Sequence, residues 1–84
     1  MLGERLMPTV QQIGPYRFFF VSLDRGESPH IHVRRDNMVA KFLLDPVTLE
    51  RAGGFNRTEL SKIAVHVVEH REAFLERWNE FFSD

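Results

Sequence analysis

A pair of strand-like segments joined by a two-residue turn constrains the fold of this chain more than any other feature. The segments are His30–Arg35 and Met38–Leu44, and Asp36-Asn37 lies between them. Asp and Asn both tolerate the positive φ angles that a tight hairpin turn demands. The sequence therefore predicts an antiparallel hairpin whose register starts from Arg35 opposite Met38.

This register separates the hairpin into two faces of different character. The face that we expect to lie in the core carries Ile31, Val33, Ala40, Phe42 and Leu44. The face that we expect to meet solvent carries His30, His32, Arg34, Val39, Lys41 and Leu43. A slip of one residue would exchange the two faces, so we expect the register to be firm.

The remaining segments predict an α+β fold. Residues 9–13 and 16–21 have strand character, and Gly14-Pro15 between them is a turn signal. Residues 47–52 are compatible with either a helical turn or a short edge strand. We therefore expect a small antiparallel sheet of about four strands, packed on one face by a long C-terminal α-helix.

The predicted helix begins at a clear N-terminal signal. Asn56 is a good N-cap, and Glu59 three residues later completes a capping-box pattern. A helix of about seven turns from this point is near 39 Å long, whereas typical strands are about 20 Å long. The excess length is aromatic, so we predict that the sheet curls around it or that it forms an interface, with a homodimer as one outcome, through Phe74, Trp78, Phe81 and Phe82.

Length and composition limit the functional classes. The 84 residues allow one domain, predicted over residues 8–84 after a flexible extension of residues 1–7. The absence of cysteine excludes disulfides and thiolate chemistry and fits a cytoplasmic protein. A net charge of −1 is unlike that of a strongly basic nucleic-acid binder, and no apolar run is long enough to span a membrane.

The motif His30-x-His32 is the candidate site with the clearest chemical use. Two imidazoles on one side of a strand could serve as base and acid in a metal-independent ribonuclease, with Lys41 or Arg17 on the phosphate. The alternatives are ordinary polar residues on a solvated face, or a metal site completed by Asp24 or Glu27. Because two imidazoles alone leave a tetrahedral ion short of ligands, we expect no metal and no cofactor.

Two further patterns suggest other functions. A nucleic-acid contact on RNA or DNA is suggested by the hairpin cations and their neighbours, Arg17, Arg34, Arg35 and Lys41, although such a cluster is also typical of a solvated face. The H-x-x-E-H spacing from His66 to His70 matches an inverted zinc-peptidase pattern. A chain this small has little room for the further ligand and the cleft, so we expect a solvated helix face there.

An ordered set of motifs resembles a family of small bacterial proteins catalogued as a domain of unknown function, with the signature P-H-[IV]-H-V. The resemblance covers about residues 8–82 and rests on Pro8-Thr9-Val10, Ile13-Gly14-x-Tyr16-Arg17-Phe18-Phe19-Phe20, Pro29-His30-Ile31-His32-Val33, Ala40-Lys41-Phe42-x-Leu44-Asp45-Pro46-Val47, Gly54-Phe55 and Trp78-x-x-Phe81-Phe82.

The resemblance implies a partnered bacterial protein of the cytoplasm. Members of the family look like one half of two-gene operons and have been suggested as toxin–antitoxin components. We therefore expect a type II toxin–antitoxin-like component that binds a small protein encoded by a neighbouring gene, with the polar sheet face as its working surface. The resemblance supplies no reaction, and the ribonuclease and the DNA-binding regulator stay open as alternatives.

Overall fold

The computed structural model describes residues 9–83 as a five-stranded sheet followed by two helices. Each strand pairs antiparallel with the next strand along the chain. The elements are β1 (Thr9–Ile13), β2 (Tyr16–Phe19), β3 (His30–Arg35), β4 (Met38–Leu44), β5 (Val47–Arg51), α1 (Arg57–Glu69) and α2 (Arg71–Phe81). The α+β prediction is confirmed. Residues 47–52, for which the sequence allows either a helical turn or an edge strand, contain the fifth strand, β5. The predicted extension, residues 1–7, lies outside the described residues.

The β3–β4 hairpin has the predicted register throughout. Its pairs run from Arg35 opposite Met38 at the turn to His30 opposite Leu43 at the far end. Asp36 adopts a φ of 57°, which is the positive value that such a turn requires. The hairpin therefore buries Ile31, Val33, Ala40, Phe42 and Leu44 on its core face, as predicted.

The core lies between that apolar face and the two helices. Phe18 of β2 packs on Phe74 of α2 with their ring centroids 5.4 Å apart, and both rings are almost fully buried. The other core residues are Tyr16, Phe20, Ile31, Val33, Ala40, Phe42, Leu44, Phe55, Ile63, Val67 and Trp78. Burial of each large side chain is worth about 1.5–3 kcal/mol, so this layer is the main source of stability.

The start of α1 is capped and then tied to the sheet. The backbone N–H of Glu59 donates to Asn56 Oδ1 at 2.8 Å, as the N-cap signal predicts. The Glu59 carboxylate turns to the sheet, where it accepts hydrogen bonds from the Arg35 guanidinium and, at 2.9 Å, from the Tyr16 hydroxyl. The capping-box residue is therefore used as an anchor between α1 and the sheet.

The predicted single helix is two helices that meet at His70. His70 leaves helical geometry at φ −106° and ψ 11°, and its Nδ1 donates to the carbonyl oxygen of His66 at 2.9 Å. Arg71 then donates from Nε to the carbonyl oxygen of Leu44 at 2.6 Å. Beyond the break, the aromatic end of α2 packs on Phe20 of the same chain, with ring centroids 5.3–6.3 Å apart.

Candidate functional site

The connection between β2 and β3 carries an aspartate onto the histidines of β3. A turn of 3-10 helix at Ser22–Asp24 bends this connection, and two backbone hydrogen bonds of 3.0 Å, from Asp24 N–H to Val21 and from Glu27 N–H to Asp24, fix it. The bend places Asp24 against the side of β3 that carries His30 and His32.

One carboxylate oxygen bridges both imidazoles. Asp24 Oδ2 lies 2.7 Å from His30 Nε2 and 3.0 Å from His32 Nε2. On the other side of its ring, His30 Nδ1 donates to the carbonyl oxygen of Ser28 at 2.8 Å. We refer to Asp24, His30 and His32 as the histidine–aspartate cluster.

The cluster is buried, and the expectation that both imidazoles meet solvent is wrong. His30 is 1% exposed and His32 is 9% exposed. The ring of Trp78 covers His30 with centroids 4.9 Å apart, and Phe19 stacks on His32 at 5.3 Å. Sequence periodicity identified the correct side of the strand but not the aromatic rings and the loop that cover it.

Burial and hydrogen bonding set the charges of the cluster. Burial lowers the pKa of His32, with the charges of His30 and Lys41 acting in the same direction, and the hydrogen bond to Asp24 only partly offsets this. Burial alone would raise the pKa of Asp24, but the hydrogen bonds and charges of His32 and His30 hold it below its usual value. The cluster is therefore built around an ionised carboxylate.

Lys41, the predicted phosphate contact, is held by two carboxylates. Its Nζ lies 3.1 Å from Glu27 Oε1 and 3.0 Å from Glu50 Oε1. Burial would lower the pKa of Lys41, but these two carboxylates raise it. The ammonium group is charged and already neutralised, so it is not presented to an incoming phosphate.

The predicted cationic patch is divided between the two faces of the sheet. Arg17 and Arg34 are opposite one another in the β2–β3 register, and Arg17 donates from Nε to Thr9 Oγ1 at 2.7 Å. Arg34 is exposed and donates from Nε to the carbonyl oxygen of Asp36 at 2.8 Å. Arg35 points the other way and binds Glu59 of α1. The four predicted cations therefore do not form one continuous surface.

The predicted interface residues belong in part to the core of the chain itself. Phe74 and Trp78 are 1% and 6% exposed beneath the sheet. Phe81 and Phe82 are half-buried and pack on Phe20 at centroid distances of 5.8 and 6.3 Å. The aromatic end of α2 is accounted for by intramolecular packing, and a dimer through it stays a prediction.

An apolar groove that the sequence reading did not identify lies between β5 and α1. Its volume is about 430 Å³, and Leu49 at its mouth is 42% exposed. The lining residues are Phe42, Val47, Leu49, Arg57, Leu60, Ser61 and Ala64, and together they define what we term the β5–α1 groove. The alternation of Val47 and Leu49 with polar neighbours was the available signal.

A comparison with known protein families places the chain in one of them. The family model described as a domain of unknown function, DUF4160, matches residues 16–79. The protein belongs to this family, since the match covers most of the chain. Searches of curated proteins and of solved structures each found no match. Within residues 9–83, no helix has both the length and the apolar character needed to cross a membrane.

Proposed function

We propose that this protein is a binding component of a bacterial, cytoplasmic toxin–antitoxin-like pair. In this proposal it acts by holding the small protein encoded by a neighbouring gene at the β5–α1 groove. The pairing is an implication of the motif resemblance described above. The observation that carries the choice of surface is an apolar groove beside an edge strand.

The edge strand supports addition of a strand from the partner. Among residues 9–83, β5 pairs with β4 alone, so its other edge presents backbone N–H and C=O groups. An edge of this kind is a template for a strand from another chain. Thr48, Leu49, Glu50 and Arg51 are exposed along it.

The groove supports a partner strand with apolar residues at alternate positions. Helix α1 leaves the inner side of β5 partly uncovered, as the 42% exposure of Leu49 shows. A sixth strand beside β5 would direct every second side chain over Leu60 and Ala64 of α1. Val68, one turn beyond Ala64, is 59% exposed and extends this apolar surface. Arg57 at the groove favours an acidic residue nearby in the partner.

The polar sheet face supports partner binding less well than the groove does. Its histidines are engaged with Asp24, and Lys41 is held by Glu27 and Glu50. The ribonuclease and DNA-binding hypotheses both depend on this face. A ribonuclease acid needs contact with the scissile phosphodiester, and His30 is 1% exposed. Both hypotheses stay untested predictions.

Co-expression of this chain with the neighbouring gene product tests the proposal. We expect a complex that copurifies and that native mass spectrometry resolves as a hetero-oligomer at micromolar concentration. Leu49→Lys introduces a charge at the groove and is expected to weaken binding at least ~10-fold, since apolar contacts at an interface centre are worth about 1–2 kcal/mol. Growth assays of the chain alone and with its neighbour would show which member is toxic.

The matched control is Leu23→Lys, the same chemical change at a leucine that is 84% exposed in the β2–β3 connection. This variant is expected to bind as the parent does. Absence of a complex would overturn the pairing. Equal binding by the Leu49→Lys and parent proteins would overturn the groove as the surface, and a homodimer lost in the Leu49→Lys protein would identify a second copy as the occupant.

A further inference from the structure

We propose that the histidine–aspartate cluster is a binding site for a divalent transition-metal ion of the zinc class. The ligands would be Asp24 Oδ2, His30 Nε2 and His32 Nε2. This inference does not depend on the partner proposal, because it concerns the opposite side of the sheet and a different kind of ligand.

The three ligand atoms are already gathered from two elements of the fold. They lie within 4.8 Å of one another. Ligands about 2.0–2.2 Å from one zinc ion are separated by about 3.3 Å when the arrangement is tetrahedral. The carboxylate oxygen is 2.7 Å and 3.0 Å from the two nitrogens, closer than two ligands of one zinc ion lie, so Asp24 would move outward when the ion binds.

The hydrogen bonds of His30 favour a cation or a proton between its Nε2 and Asp24 Oδ2. The Ser28 carbonyl oxygen can only accept, so His30 Nδ1 carries a proton. In a neutral ring, His30 Nε2 is then a lone pair that faces another acceptor, Asp24 Oδ2, at 2.7 Å. Either a second proton or a metal ion satisfies this pair. The bond from Nδ1 to a carbonyl oxygen is also the contact that orients metal-binding histidines.

The imidazole of His32 is placed to act as a metal ligand, because its Nε2 lies 3.0 Å from the same carboxylate oxygen that His30 Nε2 approaches. Phe19 stacks on the ring and restricts its rotation. The rigid placement of both imidazoles on β3 leaves Asp24, on the loop, as the ligand that adjusts.

The donor set selects the class of metal and leaves the coordination incomplete. Two imidazoles and one carboxylate suit zinc, iron, cobalt or nickel better than calcium or magnesium. The chain contains no cysteine, so no thiolate can complete a closed structural site. Three protein ligands leave at least one position for water or a small ligand, which is the arrangement of zinc sites that perform chemistry.

Metal titration of the purified full chain, after treatment with a chelator, tests this proposal. We expect one Zn²⁺ per chain with a dissociation constant in the micromolar range or below, by isothermal titration calorimetry. Cobalt(II) should give visible absorption typical of nitrogen and oxygen ligands. In the unmodified protein, the ¹⁵N resonances of His30 Nε2 and His32 Nε2 should shift on zinc addition, which identifies the ligands without any substitution.

Variants of the cluster and of a second histidine pair separate this site from incidental binding. Asp24→Asn and His32→Gln, checked for folding by circular dichroism, should each weaken zinc binding by about 100-fold. The double change His66→Gln with His70→Gln removes one histidine of α1 and the histidine at the junction of the two helices, and should leave the affinity of the folded protein unchanged. Loss of binding in that double variant would overturn the proposal.

A titration without saturation up to ~100 μM zinc, or unchanged His30 and His32 resonances, would also overturn it. The pair of acceptors at His30 and Asp24 would then be bridged by a proton, as an imidazolium–carboxylate ion pair.

Discussion

The histidine–aspartate cluster and the β5–α1 groove reverse the usual relation between polarity and exposure. Two imidazoles are buried in the cluster, whereas Leu49 is 42% exposed in the groove. A buried polar group needs specific partners, and in the cluster the Ser28 carbonyl oxygen and the Asp24 carboxylate face the two ring nitrogens of His30. An exposed apolar surface has no such requirement and gains free energy when another chain covers it.

The two regions therefore have different expected roles. Substitution in the cluster should reduce stability, because it leaves buried groups without partners. Substitution of the exposed Leu49 in the groove should reduce partner binding and change stability little.

Loss of the Phe74 ring from the core should have the largest effect on stability. Phe74 is 1% exposed against Phe18, so Phe74→Ala removes a buried ring and leaves a cavity. We expect the free energy of unfolding, measured by urea denaturation, to fall by about 3–5 kcal/mol. Unchanged stability together with dissociation of a dimer would instead favour the interface prediction for these aromatic residues.

Removal of the shared carboxylate should have the next largest effect. Asp24→Ala leaves two buried imidazoles without their acceptor, and we expect it to cost about 2–3 kcal/mol in chelator-treated protein. Asp45→Ala is the control, because the Asp45 carboxylate pairs with Arg71 at 2.9 Å on the surface and is 70% exposed. It should cost less than about 1 kcal/mol. Equal losses would show that burial does not distinguish the two carboxylates.

The contact of Glu59 in α1 with Arg35 and Tyr16 of the sheet should make the free energy of unfolding depend on pH in the acid range. The Arg35 hydrogen bond, against a smaller opposing effect of burial and with help from Tyr16, lowers the pKa of Glu59 from its ordinary value of 4.5. A carboxyl group whose pKa is lower in the folded state stabilises that state at pH values above its pKa in the unfolded chain. This contribution is lost as the pH falls through the pKa of the group in the folded state.

Glu59→Gln should therefore be less stable than the parent at pH 7, and the difference should narrow as the pH falls below 4.5. Thermal unfolding followed by circular dichroism at several pH values measures this. A difference that stays constant with pH would contradict the role of the Glu59 charge.

A charge at the groove should have the smallest effect on stability. Leu49→Lys places an ammonium at a position that is already 42% exposed, so unfolding should change by less than about 0.5 kcal/mol. Denaturant titration of the variant beside the parent measures this. A loss above 2 kcal/mol would mean that Leu49 serves the core and that its effect on partner binding is indirect.

Local sequence patterns were sufficient to predict the register of the hairpin and the residue at which α1 is capped. The turn at Asp36 and the alternation along β3 fix the register, because both act between neighbours in sequence. The Asn56 cap depends on Glu59 only three residues away. These features could be predicted because their causes lie within a few residues.

Features that depend on distant residues could not be predicted. The apolar stripe of the helix runs on across His70, while the break there is accompanied by contacts of Arg71 to Leu44 and Asp45. In the same way, the motif His30-x-His32 gave no indication that Trp78 would cover it from the end of the chain. The groove depends on the placement of α1 beside β5, which no local pattern encodes.

Hydrogen exchange followed by mass spectrometry, on this protein alone and with its neighbouring gene product, shows whether the partner binds at β5. We expect new protection of the backbone amides of Val47–Arg51 and of the first turns of α1, with exchange across residues 22–29 unchanged. Protection confined to residues 22–29, with β5 exchanging as in the free chain, would contradict this expectation.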